Sequence, residues 1–305
     1  MLFRSLLELL EVLRPGSFFT ARFPLWTIPA DTIRVLREAK LLGPPRFRPS
    51  RYRRMRDFRE KLKETELSIV EKLAQEGSAP LSQEDRAALL LDTAYELWRY
   101  RYEGKMVGNS EVERNLLSQR AKYEAFPQSV SWNEPAPENA HPTSRVYLGG
   151  GLNRRHNFLE LGFRPSLHDI LADPNGYEEF SELSMGDFRF RAEGGRFFLE
   201  RLDLIRLRSL SPRETWIPRW SWEFRGGLFR AKDFACEGWD CTAGRLDGGY
   251  GVAVSLGPAL GFVLAGLALE VGKPFPRNWR ALIGPGGGLF VPLWKQARAL
   301  LKGEF

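Results

Sequence analysis

Gly248-Gly-Tyr-Gly-Val-Ala-Val-Ser-Leu-Gly-Pro-Ala-Leu-Gly-Phe-Val-Leu-Ala-Gly-Leu-Ala-Leu269 is the longest uncharged run of the chain, 22 residues between Asp247 and Glu270. Its length suits a transmembrane helix. Its composition does not: six glycines and Pro258 interrupt it, and Tyr250, Val252, Val254 and Leu256 alternate with Gly251, Ala253, Ser255 and Gly257. Large side chains on one face and small ones on the other read as two adjacent strands of a tight or closed sheet, turning at Gly257-Pro258.

Working back from this run, the same period of two recurs. Arg145-Val-Tyr-Leu148, Phe158-Leu-Glu-Leu-Gly-Phe163, Asp187-Phe-Arg-Phe-Arg191, Phe197 to Arg208 and Trp220-Ser-Trp-Glu-Phe-Arg225 alternate apolar with polar or charged residues. Gly194-Gly195 is a two-residue hairpin signal. Pro165 to Leu171 reads as a short helix or turn, and Lys295 to Lys302 as a helix. About eight strands are expected, enough for a small barrel or a sandwich. Strands of this length with alternating faces also suit a membrane barrel, and charged alternate positions fit either a lumen or a water-facing sheet.

Before residue 126 the period is helical. Leucines crowd Leu2 to Leu13 before Pro15-Gly16, and Pro29 suits the first turn of a helix ending at Gly43-Pro44-Pro45. A third helix is expected from Tyr52 to Gln75, a fourth from Ser82 to Glu103, and a fifth where Ser110 and Glu113 form a capping box. Phe126 to Ser144 holds four prolines and no period. The expected fold is therefore α+β: a helical region at 1–125, a Pro-rich linker at 126–144 and a barrel-like antiparallel β domain at 145–305.

The 305 residues carry 45 Lys/Arg, 38 Asp/Glu, 3 His and 2 Cys, a net charge of +7, with 43% hydrophobic residues. Wholesale disorder, a disulfide framework and finger-type zinc sites are excluded. The excess charge is local: residues 1–63 hold 15 Lys/Arg against 6 Asp/Glu, leaving −2 elsewhere. Its densest part contains Arg46, Arg48, Arg51, Arg53, Arg54, Arg56 and Arg59 interleaved with aromatics. Such a stripe suits an anionic lipid surface or nucleic-acid phosphates, or is a solvated helix face flanked by Glu60, Glu64 and Glu66. No other feature resembles a nucleic-acid module, and Gly149-Gly-Gly151 and Gly284-Pro-Gly-Gly-Gly288 lack the context of phosphate loops. No cofactor is expected.

Six runs in order resemble one family, the bacterial cell-envelope proteins of unknown function with an Lnb-type periplasmic domain. They are Leu6-Leu-Glu-Leu-Leu-Glu-Val-Leu-Arg-Pro15, Phe23-Pro-Leu-Trp-Thr-Ile-Pro-Ala-Asp-Thr32, Arg48-Pro-Ser-Arg51, His141-Pro-Thr-Ser-Arg145, Phe158 to Asp169, and Leu199-Glu-Arg-Leu-Asp-Leu204 with Ser209-Leu-Ser-Pro-Arg213. The resemblance implies a Gram-negative envelope location, periplasm or outer membrane, and an upstream papain-like domain in which Cys and His act together. Some members of that family move a fatty acyl group onto a lipoprotein. This chain departs from the pattern where the chemistry lies. Met1 and Leu2 stand where the family has Asn-Cys, no Cys precedes Cys236, and Met1 to Glu8 carries no signal peptide. The chain reads as the part after the catalytic half, also short of the last strands.

His168-Asp169 is the only His-acid neighbour pair, readable as an acid/base or metal position or as a structural hydrogen-bonding turn. His141 reads as an exposed linker residue and His156 as a loop residue. In an oxidising envelope Cys236 and Cys241 would close a small disulfide loop; in a reducing compartment they are inert thiols or a metal half-site. The expected function is that of a non-catalytic accessory or anchoring region, partnered by an anionic lipid surface or an upstream papain-like domain. The alternatives are a cysteine-dependent acyltransferase or hydrolase completed by that upstream domain, and an outer-membrane barrel holding a lipidic ligand.

Overall fold

A computed structural model of the chain describes residues 2–23, 29–44, 46–81, 84–102, 110–124, 136–152, 157–214, 216–231, 241–294 and 297–303. Two compact units result: residues 44–134, and residues 1–43 together with 135–305. The first two helices thus group with the strands, whereas the sequence pattern joins them to the other helices.

The helical unit contains α3 (Arg51–Glu60), α4 (Glu64–Glu76), α5 (Glu84–Tyr102) and α6 (Ser110–Arg120). The single helix expected over 52–75 is broken at Lys61-Leu-Lys63. There the Glu66 carboxylate accepts the Lys63 backbone N–H at 2.7 Å, so a new helix starts instead of the old one continuing. Gly77, left-handed at φ 77°, ends α4. Met55, Phe58, Val70, Leu73, Leu89, Leu97 and Leu116 are buried.

In the other unit α1 (Leu2–Leu13) and α2 (Pro29–Glu38) meet through Leu7, Phe19 and Val35. Its strands are β1 (Arg145–Leu152), β2 (Asn157–Arg164), β3 (Ser166–His168), β4 (Ser181–Glu193), β5 (Arg196–Ser209), β6 (Ser221–Arg230), β7 (Thr242–Leu256), β8 (Ala259–Val271), β9 (Trp279–Trp294) and β10 (Ala297–Gly303). Nine run antiparallel in the order β1-β2-β4-β5-β6-β7-β8-β9-β10, with β3 beside β4. The charge-free run forms the β7–β8 hairpin, and Gly194 and Gly195 take the positive φ values of a tight turn between β4 and β5.

The sheet curls into a half-barrel. Strands four places apart in a flat sheet stand about 19 Å apart at the usual spacing, yet Lys302 of β10 lies 2.8 Å from Glu223 of β6. Ile170 and Leu210 from loops and Ala253, Leu260, Phe262, Leu264 and Phe290 from β7, β8 and β9 form one buried cluster. Two expectations give way here. Residues 166–168 are a short strand, and 297–303 are β10, although Lys295 to Lys302 is rich in helix formers. Pairing with β9, packing of Leu300 on the buried cluster and the Lys302–Glu223 ion pair outweigh that local preference.

Candidate functional site

The two faces of the sheet differ in charge. On the convex face, register places Leu148, Leu161, Leu199, Leu228, Leu246, Val263, Leu267, Ile283 and Leu301 outward on successive strands. Many are open to the surroundings: Leu148 is 74% exposed, Leu267 61%, Ile283 84% and Leu301 69%. Within the described strands the outward positions between the turns carry one charged side chain, Arg230, at the end of β6. A soluble monomer's largest apolar patch is a few hundred Å², far less than one face of nine strands.

The concave face carries a ladder of ion pairs in which six inward carboxylates are each shared by two cations, while Arg191 is shared by Glu160, Glu193 and Glu200. Asp187 takes Arg164 at 2.9 Å and Arg189 at 3.2 Å, and Glu182 takes Arg208 at 2.9 Å and Arg206 at 3.4 Å. Asp203 takes Arg201 at 2.8 Å together with Arg206, and Glu223 takes Arg208 at 3.0 Å besides Lys302. Asp247 is held by Arg225 and by Arg245 at 3.1 Å, and Glu270 by Arg245 at 3.0 Å and by Arg280. Asp187 and Glu270 are wholly buried, which a carboxylate tolerates only when paired. The alternation in sequence therefore puts carbon on the outer face, and on the inner face mutually neutralised charge beside the apolar cluster of Leu260, Phe262, Leu264 and Phe290. Phe262 and Phe290 fill part of the interior, and cavities of about 40 and 130 Å³ lie among the ladder residues.

His168, at the end of β3, is 5% exposed and does not pair with its neighbour. Asp169 accepts Arg164 at 3.1 Å and the Leu171 backbone N–H at 2.9 Å. The partner of His168 is His141: Nε2 of His141 lies 3.1 Å from Nδ1 of His168, and Tyr177 stacks on both rings, 4.0 Å from the centre of His168. Burial first, then the positive charge of His141, lowers the His168 pKa to about 4. The strap carrying His141 is clamped by Arg34 of α2, which donates to the carbonyls of Glu138, Ala140 and His141. Nδ1 of His141 lies 2.8 Å from the Pro142 carbonyl, and His168 donates to the Glu178 carbonyl. Carbonyls only accept, so these two contacts and the one between the rings need three protons, while two neutral imidazoles carry two.

This site was hidden from local pattern because its members lie 27 residues apart in sequence. Among the described residues no three His, Cys, Asp or Glu side chains converge on a metal position. His156 lies outside the described residues, as do Cys236, the Ser82 cap and most of the Pro-rich linker. Cys241 is buried and disulfide-bonded.

The basic stripe is largely used within the helical unit. Arg54 reaches Glu96 of α5 at 3.0 Å, with Arg51 adding positive potential at the same carboxylate. Arg53 faces Asp57 at 3.6 Å and Arg56 faces Glu60 at 3.5 Å. Burial nevertheless raises the Glu96 pKa, opposed by Arg54 and Arg51. Arg46 and Arg48 are exposed, and Arg59 is half-buried. No helix of the described residues is long and apolar enough to cross a membrane.

No curated protein and no solved structure matches the chain. Residues 45–131, nearly the extent of the helical unit, match the model described as "Domain of unknown function (DUF7842)". Residues 134–305, more than half of the chain, match the model described as "Domain of unknown function (DUF7840)", and the chain belongs to that family.

Proposed function

We propose that the chain is a non-catalytic anchoring region of a cell-envelope protein, and that its half-barrel sits in a lipid bilayer with the convex face against acyl chains. The observation that carries this reading is the difference between the faces: among the described residues, one charge outward, at a strand end, against an ion-pair ladder inward. Strands β4 to β9, of 10 to 16 residues, reach or exceed the nine to eleven that a tilted strand needs to cross hydrocarbon. Removing a half-exposed Leu or Ile from water is worth about 1 kcal/mol, so the fourteen exposed Leu and Ile of the strands, with the exposed Val, Phe and Trp beside them, supply on the order of 20 kcal/mol. That exceeds the 5–15 kcal/mol that holds an ordinary fold together, and it favours a lipid neighbour over water. Free edge groups cost several kcal/mol each in hydrocarbon, so the outer edges of β1 and β10 are paired in the bilayer by further strands.

The alternative, a cysteine-dependent acyltransferase or hydrolase, takes its thiolate from an upstream papain-like domain; within this chain the disulfide-bonded Cys241 does not offer one. The test is extraction of the expressed chain from isolated membranes. It should stay in the membrane pellet through alkaline carbonate, dissolve in mild detergent, and show a strand-rich spectrum there. A monomer that is fully soluble in buffer without detergent refutes the reading.

A further inference from the structure

The larger cavity of the concave face, about 130 Å³, is walled by Arg201, Arg225, Arg245 and Asp203, with Gly227 and Phe229 beside them. It lies beside a register shift. The bulge between Asp203 and Ile205 brings the β5 backbone so close that a Cβ on Gly227 would stand 2.1 Å from the Leu202 carbonyl oxygen. No side chain fits there, and a gap remains among long arginine stems. At about 30 Å³ for each water, the gap holds roughly four waters, or one small anion with a water or two.

The charge around this gap is uneven. Arg225 and Arg245 share Asp247, with Glu270 also on Arg245, while Arg201 and Arg206 share Asp203, with Glu182 also on Arg206; of the gap's own wall three residues are arginines and one is an aspartate. Arg201 and Arg225 are near enough to repel each other. Guanidinium groups present five donors in a fork that matches a tetrahedral oxyanion, and crowded arginines are relieved by a negative group set between them. We propose that this cavity binds a tetrahedral oxyanion through Arg201, Arg225 and Arg245. Its source is either free inorganic phosphate or the phosphate of a lipid headgroup. The proposal is independent of the bilayer reading, since the same gap exists whatever covers the convex face.

The test uses the whole chain, in detergent if it needs one. Melting is followed while inorganic phosphate, and separately a short-chain phosphatidic acid, is titrated at constant ionic strength against chloride. Saturable stabilisation by either ligand is expected, phosphate alone pointing to the free ion and the lipid alone to the headgroup. Arg201→Gln should weaken binding at least tenfold, the usual scale of one charge-assisted contact. Arg191→Gln, which removes the same charge away from the cavity, should bind as the parent does. No saturable effect of either ligand in the parent overturns the proposal, and so does an equal loss in the two variants, which would be a response to net charge only. If Arg201→Gln does not fold, Arg245→Gln takes its place.

Discussion

Replacing Ile283 by Lys discriminates a lipid-facing strand from a water-facing one. Ile283 stands on β9, in register with Leu267 of β8, and both project from the convex face. Because Ile283 is 84% exposed, its side chain makes little packing to lose, and the change in water is worth within about 0.5 kcal/mol. In a bilayer the same lysine has to be held in hydrocarbon. Ile283 is four residues into a strand that opens at Trp279, about 10 Å below that end at the usual rise and tilt, so it lies within a 25 Å apolar band. A lysine near the midplane of a membrane barrel costs about 2–4 kcal/mol, or roughly 30- to 1000-fold in the folding equilibrium. Urea titrations in phospholipid vesicles, read by the mobility difference between folded and heated samples, measure that equilibrium. Ile283→Ala controls for lost bulk. A Lys variant within 0.5 kcal/mol of the Ala variant in vesicles refutes the placement of this face in lipid.

Three further outcomes follow from the geometry. The His168 pKa lies near 4 in the fold and near 6.5 in the unfolded chain, so the unfolded state binds more protons between those values and stability falls as pH drops from about 6.5 to about 4. The loss is roughly 3 kcal/mol over that window; urea midpoints across it should show the slope, and His168→Phe should flatten it. Arg54→Ala leaves the largely buried Glu96 without its nearest cation and should cost about 1–2 kcal/mol at pH 7, read in the unfolding of the helical unit. The cost should shrink on acidification, because Glu96 can then take up a proton. Gly162→Ala puts a Cβ within 1.8 Å of the Tyr147 ring, whose hydroxyl donates to the buried Asp187, and should cost about 2–3 kcal/mol in the urea unfolding of the strand-containing unit. No measurable change there would mean that the Tyr147 ring does not lie over Gly162.

The fold was largely legible because its strands advertise themselves by alternation, which is a local signal. Tyr250 to Leu256 and the run after it read as strands and are strands. Lys295 to Lys302 misled for the converse reason: its residues favour a helix in isolation, and only pairing with β9 and the reach of Lys302 to Glu223 override them. Alternation also announced that charge and carbon lie on opposite faces, but could not say which face is closed. That depends on curvature, which brings β6 and β10 together across the concave side and leaves the carbon outside.

Sites assembled across the chain were beyond any local pattern. His168-Asp169 drew notice as neighbours, yet adjacent side chains diverge, and each found its partner elsewhere, His141 for one and Arg164 for the other. The arginine-walled cavity likewise depends on a bulge opposite Gly227; the pair Gly226-Gly227 inside a strand hints at a close backbone approach, but not at which side chains gather round it. Once the faces are assigned, the inward charges acquire a common physical purpose. A sheet that turns carbon outward has to place its arginines and carboxylates inside, and they survive there only by neutralising one another; a gap where arginines crowd is then the natural place for an outside anion to complete the pairing.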